Sequence, residues 1–422
     1  MARAWCTASE AVARIQSGQS VFLGSACGEP QTLVEALLHD AARLHGVALL
    51  TGLQGSRAPY VAKDYAGHFR LRAFMASPAA AEAIARGDAD YLPVPLSRIP
   101  PLMRGGRLHV DVALVQVAPA DSHGRFSLGV SVAYAKAAVA AASLVIAEVN
   151  AQMPRTLGDA FIEAGDIDLF VASDRPVLEV RRGEAESSLA RIGELVASLV
   201  ADGDTMQVGV GAIADAVWLA LRSHRDLGVH TGSVADSLVE LVESGVVTNH
   251  RKSIDTGRIV AGQLIGTKRL YSYAHENPRF DMHPSDYTHN PAVLARIDRL
   301  VSVNSALQID LRGQVNAETL RGRQVAGVGG AIDFAVGARL SPGGRTIVAL
   351  PATAGGGRFS RIVPRLEDGV VTTPASLVDY VVTEHGIADL AGLPLGARAQ
   401  ALIAIAAPEH RAALQTADPS TD

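Results

Sequence analysis

Short apolar runs rich in β-branched residues recur along the chain, and several stop at a glycine. They fall at 21–23, 47–50, 112–117, 144–149, 207–210, 300–303, 347–350 and 370–373. Between several of them lie helical patterns, at 32–44, 78–86, 214–222 and 237–244. Ser77 is a suitable N-cap for the second of these helices, and Pro78 suits its first turn. Strands alternating with helices predict parallel βαβ units. Right-handed crossovers then gather the strand-end loops along one edge of each sheet, where ligands bind. A chain of 422 residues is too long for one ordinary core. The charged segment 175–188, with Pro176, separates an apolar run at 169–172 from a helical stretch at 189–200. The expectation is α/β: two open, mainly parallel-sheet domains, 1–182 and 183–422.

Composition narrows the function classes. At 48% hydrophobic and 19% charged residues the chain reads as well buried. The net charge of −5 is spread over both signs without a basic block, which argues against a nucleic-acid partner. Cys6 and Cys27 are the two cysteines and form neither CxxC nor zinc spacing, so no metal and no disulfide framework is expected. The most apolar long stretch, 137–147, is too short to span a bilayer, and residues 1–10 carry no apolar signal core. The expected location is cytoplasmic, with no membrane partner. The polar tail from Gln415 is expected to fray.

Three glycine clusters are candidates for chemistry. Gly209-Val210-Gly211 follows a strand and opens a helix, a place where backbone can approach an anion, or simply a tight turn. Gly327-Val328-Gly329-Gly330 offers backbone N–H donors to a developing oxyanion, or a strand-to-helix turn. Gly355-Gly356-Gly357, followed by Arg358 and Arg361, suits phosphate recognition or a surface loop. Asn304, Gln314 and Asn316 lie on a polar, strand-like stretch. They are candidates for a binding cleft, or for satisfying buried backbone. His230, His283, His289 and His385 lack metal-ligand spacing, and no GxSxG elbow is present. Cys27 beside Gly28 reads either as a nucleophile or as a small buried residue.

An ordered set of motifs resembles one family. It begins with Val21-Phe22-Leu23-Gly24-Ser25-Ala26-Cys27-Gly28-Glu29-Pro30 and continues with Asp121-Ser122-His123-Gly124-Arg125-Phe126. Glu148-Val149-Asn150 and Met153-Pro154-Arg155-Thr156-Leu157-Gly158-Asp159 follow. Later come Val303-Asn304-Ser305-Ala306, Gly313-Gln314-Val315-Asn316, Gly327 to Gly330 and Val381-Val382-Thr383-Glu384-His385-Gly386. The set is similar to the acetyl-CoA hydrolase and 4-hydroxybutyrate CoA-transferase family. The resemblance implies two CoA-transferase-type α/β domains with an active site in the cleft between them. It implies coenzyme A or acyl-CoA as substrate, a small-molecule acceptor, and a homodimer or higher homo-oligomer. An acyl carrier protein is a further candidate partner. It also implies a glutamate carboxylate that attacks the thioester to give an anhydride and then a glutamyl-CoA thioester.

That glutamate lies in the family's His-Thr-Glu stretch. Here the stretch reads His230-Thr231-Gly232-Ser233-Val234-Ala235-Asp236, so Gly232 stands at the glutamate's position. Glu240 and Glu243 belong to a helix and are expected to face solvent or a neighbour. A glycine cannot carry the covalent route, and its small size leaves space for a second substrate. The favoured expectation is acyl transfer to a non-carboxylate acceptor, or thioester hydrolysis. The catalytic candidates are His230, Gly232 and Glu29, with Glu384 as a further base. Gly327, Gly329, Gly330, Gly209, Gly211, Asn304, Gln314, Asn316, Arg358 and Arg361 are candidates for holding the oxyanion and CoA. The alternatives are a non-catalytic acyl-CoA-binding protein, or CoA transfer between carboxylates through a substitute nucleophile.

Overall fold

The computed structural model describes residues 4–181 and 187–417. Two compact units divide the chain. The first comprises Met1–Arg181, Val260–Thr288 and Gln324–Gly329; the second comprises Arg182–Ile259, His289–Arg323 and Gly330–Asp422. The expected boundary at 182/183 lies outside the described residues, as does the end of the tail at 418–422.

The main sheet of the first unit has eight strands: β1 (Ala4–Trp5), β2 (Ser20–Leu23), β3 (Val47–Thr51), β4 (Phe69–Ala73), β5 (Ala89–Tyr91), β6 (Val112–Val117), β7 (Leu144–Asn150) and β8 (Leu169–Ser173). Their order is β1-β8-β7-β6-β2-β3-β4-β5, and every pairing is parallel. All six residues of β6 are buried, as expected for a central strand covered on both faces. Near the edge, β4 alternates: Phe69, Leu71 and Ala73 point inward and Arg70 and Arg72 outward. Helix α1 (Gln31–His39) buries Leu33, Val34 and Leu37 in the same core as Val21, Leu49 and Leu114. Helix α2 (Pro78–Arg86) begins as the sequence predicts, with Ser77 Oγ accepting from the Ala80 amide. The returning segment 260–288 is laced to this unit by backbone bonds. The Val132 and Ala133 amides donate to Gly262 O, and the Leu264 amide donates to Val130 O.

The second unit opens with α3 (Ser187–Ala197), and its main sheet has six strands: β9 (Thr205–Val208), β10 (Gly228–Val229), β11 (Leu300–Ser305), β12 (Arg345–Ala349), β13 (Tyr380–Thr383) and β14 (Gly386–Asp389). Their order is β10-β9-β11-β12-β13-β14, parallel except for the antiparallel edge strand β14. The order reverses direction at β9, so the crevice beyond the C-terminal ends of β9 and β11 is a topological switch point, the usual ligand position in such sheets. Helices α4 (Ala212–Ala220), α5 (Ser237–Glu243) and α6 (Ala331–Leu340) belong to this unit. Phe334 and Ala338 of α6 pack with Leu294, Ile297 and Leu300.

Two expectations need correction. The run 370–373 is not a strand: Val370 and Val371 are over 40% exposed, and Thr373 makes only an isolated bridge to Val315. The stretch 304–316 is not one strand but the end of β11 followed by Gln308–Asp310 and Val315–Asn316, broken by the turn at Gly313 (φ +90°).

Candidate functional site

The geometry of the second unit centres on the turn that follows β10. The His230 amide donates to Met206 O, continuing the β9–β10 pairing, and Thr231 Oγ1 donates to Val208 O at 2.9 Å. These bonds fix the main chain at Gly232 beside the end of β9. A Cβ built on Gly232 would fall 2.6 Å from Nε2 and 2.7 Å from Cε1 of His289. A Cβ on Gly330, the N-cap residue of α6, would fall 2.7 Å from the same Nε2 and closer still to Cδ2. The imidazole of His289 therefore sits against two glycines about a hundred residues apart in sequence. Its third neighbour is Phe334, with ring centroids 4.8 Å apart. The space expected to open at Gly232 is thus filled, at its base, by a histidine ring.

His289 is 4% exposed, and burial holds its pKa down at about 3, so the ring is neutral at physiological pH. His230 is fully buried, with Nδ1 3.9 Å from the Asp255 carboxylate. Nothing in the sequence around His289 marked it out. The signal was the pair Gly232 and Gly330, whose shared neighbour only the fold reveals. Glu240 takes an exposed ion pair with Arg222 at 2.7 Å, in line with its place on α5.

The structure gathers the other candidates into separate groups. Gly209, Gly211, Asn304 and Arg361 line one cavity of about 310 Å³ at the β9–β11 switch point, beside the N-terminus of α4. Asn304 Nδ2 there donates to Ser302 Oγ at 2.9 Å. Arg358 and Arg361, together with Arg321 and Arg365, line a second cavity of about 600 Å³. The guanidiniums of Arg321 and Arg358 lie over the Phe359 ring, 5.1 and 5.6 Å from its centroid. Arg361 reaches inward to Thr353 O and Leu307 O, and burial lowers its pKa. Gly355, Gly356 and Gly357 all have φ between +60° and +88°, a run of left-handed residues that favours glycine.

Gln314 and Asn316 lie apart from both cavities. The Gln314 amide donates to Asp310 Oδ1. Asn316 is fully buried: its Nδ2 donates to Thr319 O and its Oδ1 accepts from the Glu318 and Thr319 amides, closing a local turn. Glu384 accepts from the Ala352 amide at 2.8 Å.

In the first unit Glu29 is 1% exposed and follows the loop after β2. Burial raises its pKa, while hydrogen bonds from Ser56, Tyr60 and the Gly55 amide act in the opposite direction. Gly327 and Gly329 belong to this unit. The Val328 amide between them donates to the Tyr91 hydroxyl at 2.8 Å, and Gly329 has φ +56°. Cys27 is buried.

Comparison with known proteins decides the family. A model of the acetyl-CoA hydrolase/transferase N-terminal domain matches residues 2–180, and one of the C-terminal domain matches residues 266–417. The 4-hydroxybutyrate coenzyme A transferase of Clostridium kluyveri is 44% identical over 409 residues, covering 97% of this chain and 95% of that protein. The chain belongs to the acetyl-CoA hydrolase/transferase family. Solved structures agree. RipA from Yersinia pestis superposes with a TM-score of 0.93 at 35% identity, covering 98% of this chain and 96% of the other. The 4-hydroxybutyrate CoA-transferase from Porphyromonas gingivalis gives 0.84 at 36% identity, with the same coverage. This is therefore an enzyme of the CoA-transferase family, whose substrates are CoA thioesters. Among the described residues no helix is long and apolar enough to cross a membrane, and no group of three or more His, Cys, Asp or Glu is placed to hold a metal ion.

Proposed function

We propose that this enzyme passes the acyl group of a CoA thioester to water or to a non-carboxylate acceptor, such as an amine or alcohol. One observation carries the reading: a glycine at 232 with an imidazole packed against it. The relatives named above include proteins named for CoA transfer, and the family resemblance puts a glutamate nucleophile at this position. Gly232 supplies no carboxylate, and His289 occupies the first atoms of the path such a side chain would follow. An anhydride cannot form there. Direct attack on the thioester by a second substrate needs no covalent enzyme intermediate. It does need a neutral base and donors for the tetrahedral oxyanion.

The remaining parts fit that chemistry. The amides at Gly327, Gly329 and Gly330 are the oxyanion candidates, though Val328 in their midst is committed to Tyr91. Arg321, Arg358 and Arg365, around the cavity of about 600 Å³, suit the phosphates of CoA, with Phe359 as an apolar face for its base. Arg361 shapes that cavity through its carbonyl bonds. Asn316 is a structural residue in this reading.

The test is a screen of acetyl-CoA, butyryl-CoA and 4-hydroxybutyryl-CoA against carboxylate, amine, alcohol and water acceptors, following free thiol and acyl product together. Thiol release that depends on water, an amine or an alcohol supports the reading. CoA exchange between two carboxylates would overturn it, and a borohydride-trapped enzyme adduct located by mass spectrometry would name the substitute nucleophile. Tight acyl-CoA binding with no thiol release under any acceptor would show a binding protein instead.

A further inference from the structure

We propose that Tyr91 is a positioning residue for the oxyanion: its hydroxyl takes up the Val328 amide and so aims the amides of Gly329 and Gly330 at the thioester carbonyl under attack. The inference rests on the reading above, in which this loop holds the oxyanion, and it names what sets the loop's geometry. Three contacts within the first unit hold the loop. All come from the C-terminal ends of β4 and β5 or from the chain just beyond them. The Val328 amide donates to the Tyr91 hydroxyl at 2.8 Å. The Leu96 amide donates to Gly329 O at 3.4 Å. A Cβ on Gly327 would fall 2.7 Å from Phe74 O and 3.0 Å from Met75 Cα, with the Tyr91 ring 3.2 Å away, so only a glycine lets the chain lie this close. Tyr91 therefore meets Gly327 with its ring and Val328 with its oxygen.

The direction of the free donors follows from these bonds. A trans peptide points its C=O and its N–H in opposite directions. Gly329 O turns toward Leu96, so the N–H of the same peptide, which is Gly330's, points away from it. Gly329 has φ +56° and Gly330 φ −95°. A left-handed residue followed by a right-handed one turns successive N–H groups into one concavity that suits an anion. Among the described residues neither the Gly329 nor the Gly330 amide donates a hydrogen bond. Gly330 is half-buried, and a Cβ on Gly329 would meet nothing nearer than 3.8 Å, so the loop has room beside it at these residues.

Oxyanion donors work because they are held in place before the charge appears. Without the Tyr91 oxygen, the Val328 amide turns toward another acceptor and carries the next two peptides with it. A misplacement of about 1 Å at the reacting atoms costs up to roughly 100-fold in rate. Tyr91 acts through the loop and touches no reacting atom in this account.

The experiment measures thiol release from the acyl-CoA and acceptor that the wild-type enzyme uses best, in Tyr91→Phe, Gly329→Val and the double variant. Melting temperature and acyl-CoA binding serve as controls for folding. Tyr91→Phe removes one oxygen and keeps the ring against Gly327. The expected result is a fall in kcat of about 10- to 100-fold, with KM for acyl-CoA within about threefold of wild type. Beside Gly329→Val, where the loop is already displaced, the same change should cost less than about threefold. A Tyr91→Phe enzyme with wild-type kcat, whatever its melting temperature, would overturn the assignment while leaving the functional reading in place. So would a loss that multiplies in full on top of Gly329→Val. Wild-type kcat in Gly329→Val would remove the loop, and this inference with it, without touching the thioester reading. A wild-type enzyme that releases no thiol with any acceptor removes the functional reading and this inference together.

Discussion

Substituting Gly232 by alanine probes the packing at this site without changing its charge. Gly232 lies outside the left-handed region, so an alanine there meets no backbone strain, and its cost comes from the ring opposite. The new methyl would stand 2.6–2.7 Å from two atoms of the His289 imidazole. Carbon contacts settle at about 3.5–4.0 Å, so the ring must retreat by roughly 1 Å. Behind it are the main chain at Gly330 and the Phe334 ring, which leave little room. Overpacking of this kind costs about 1–3 kcal/mol. For a unit of this size that lowers the melting temperature by roughly 3–10 °C. A double-mutant cycle isolates the contact: Gly232→Ala should be destabilising with His289 present and nearly neutral beside His289→Ala, a coupling of about 1 kcal/mol or more. The same logic makes Gly232→Glu alone a poor way to install a carboxylate, and a smaller residue at 289 a precondition for it. If Gly232→Ala melts within about 1 °C of wild type and the cycle shows no coupling, the ring does not occupy the place described and the reasoning fails.

Two further outcomes are expected. His289 has a folded pKa of about 3 against an ordinary value near 6.5, so the unfolded chain binds its proton first as pH falls. Its contribution to stability is therefore complete above about pH 6.5 and is lost as pH falls toward 3, at up to about 1.4 kcal/mol per pH unit. Unfolding free energies measured from pH 4 to 7 should show that slope in wild type and a shallower one in His289→Gln; parallel slopes would refute it. Gly329→Val places a β-branched residue at φ +56°, a strain of at least about 1–2 kcal/mol even though the nearest atom to its Cβ is 3.8 Å away. If the loop amides hold the oxyanion, kcat should fall by roughly 100-fold or more while acyl-CoA binding persists. An unchanged kcat would remove the loop from the chemistry.

Local patterns in the sequence made much of the fold legible. The runs at 112–117 and 144–149 are mostly apolar, broken only by Gln116 and Glu148, because both faces are covered, and the Ser77-Pro78 cap set the start of α2 correctly. The run at 370–373 misled because Val370, Val371 and two threonines carry strand propensity whether or not they are buried. The candidate site was legible only in halves. Gly232 stood out against the resemblance, but His289 lies 57 residues downstream on a turn before a short helix, and no periodicity connects the two. Likewise Asn316 looked like a ligand-facing amide until its bonds to the 318–319 backbone appeared. Polar residues that satisfy a buried turn and polar residues that meet a ligand share the same letters.

The way the chain threads its two units also bears on synthesis. The first unit takes in residues 260–288 and 324–329, so it cannot be completed when residue 181 leaves the ribosome. It must wait for roughly 150 more residues, a delay on the order of 7–30 s at elongation rates of about 5–20 residues per second. Until then the backbone at Val130, Val132 and Ala133 lacks the partners that Gly262 and Leu264 provide. Cutting the gene near residue 182 would leave the first fragment without 260–288 and 324–329 of its own unit, while the second fragment would carry those pieces with nothing of their unit to join.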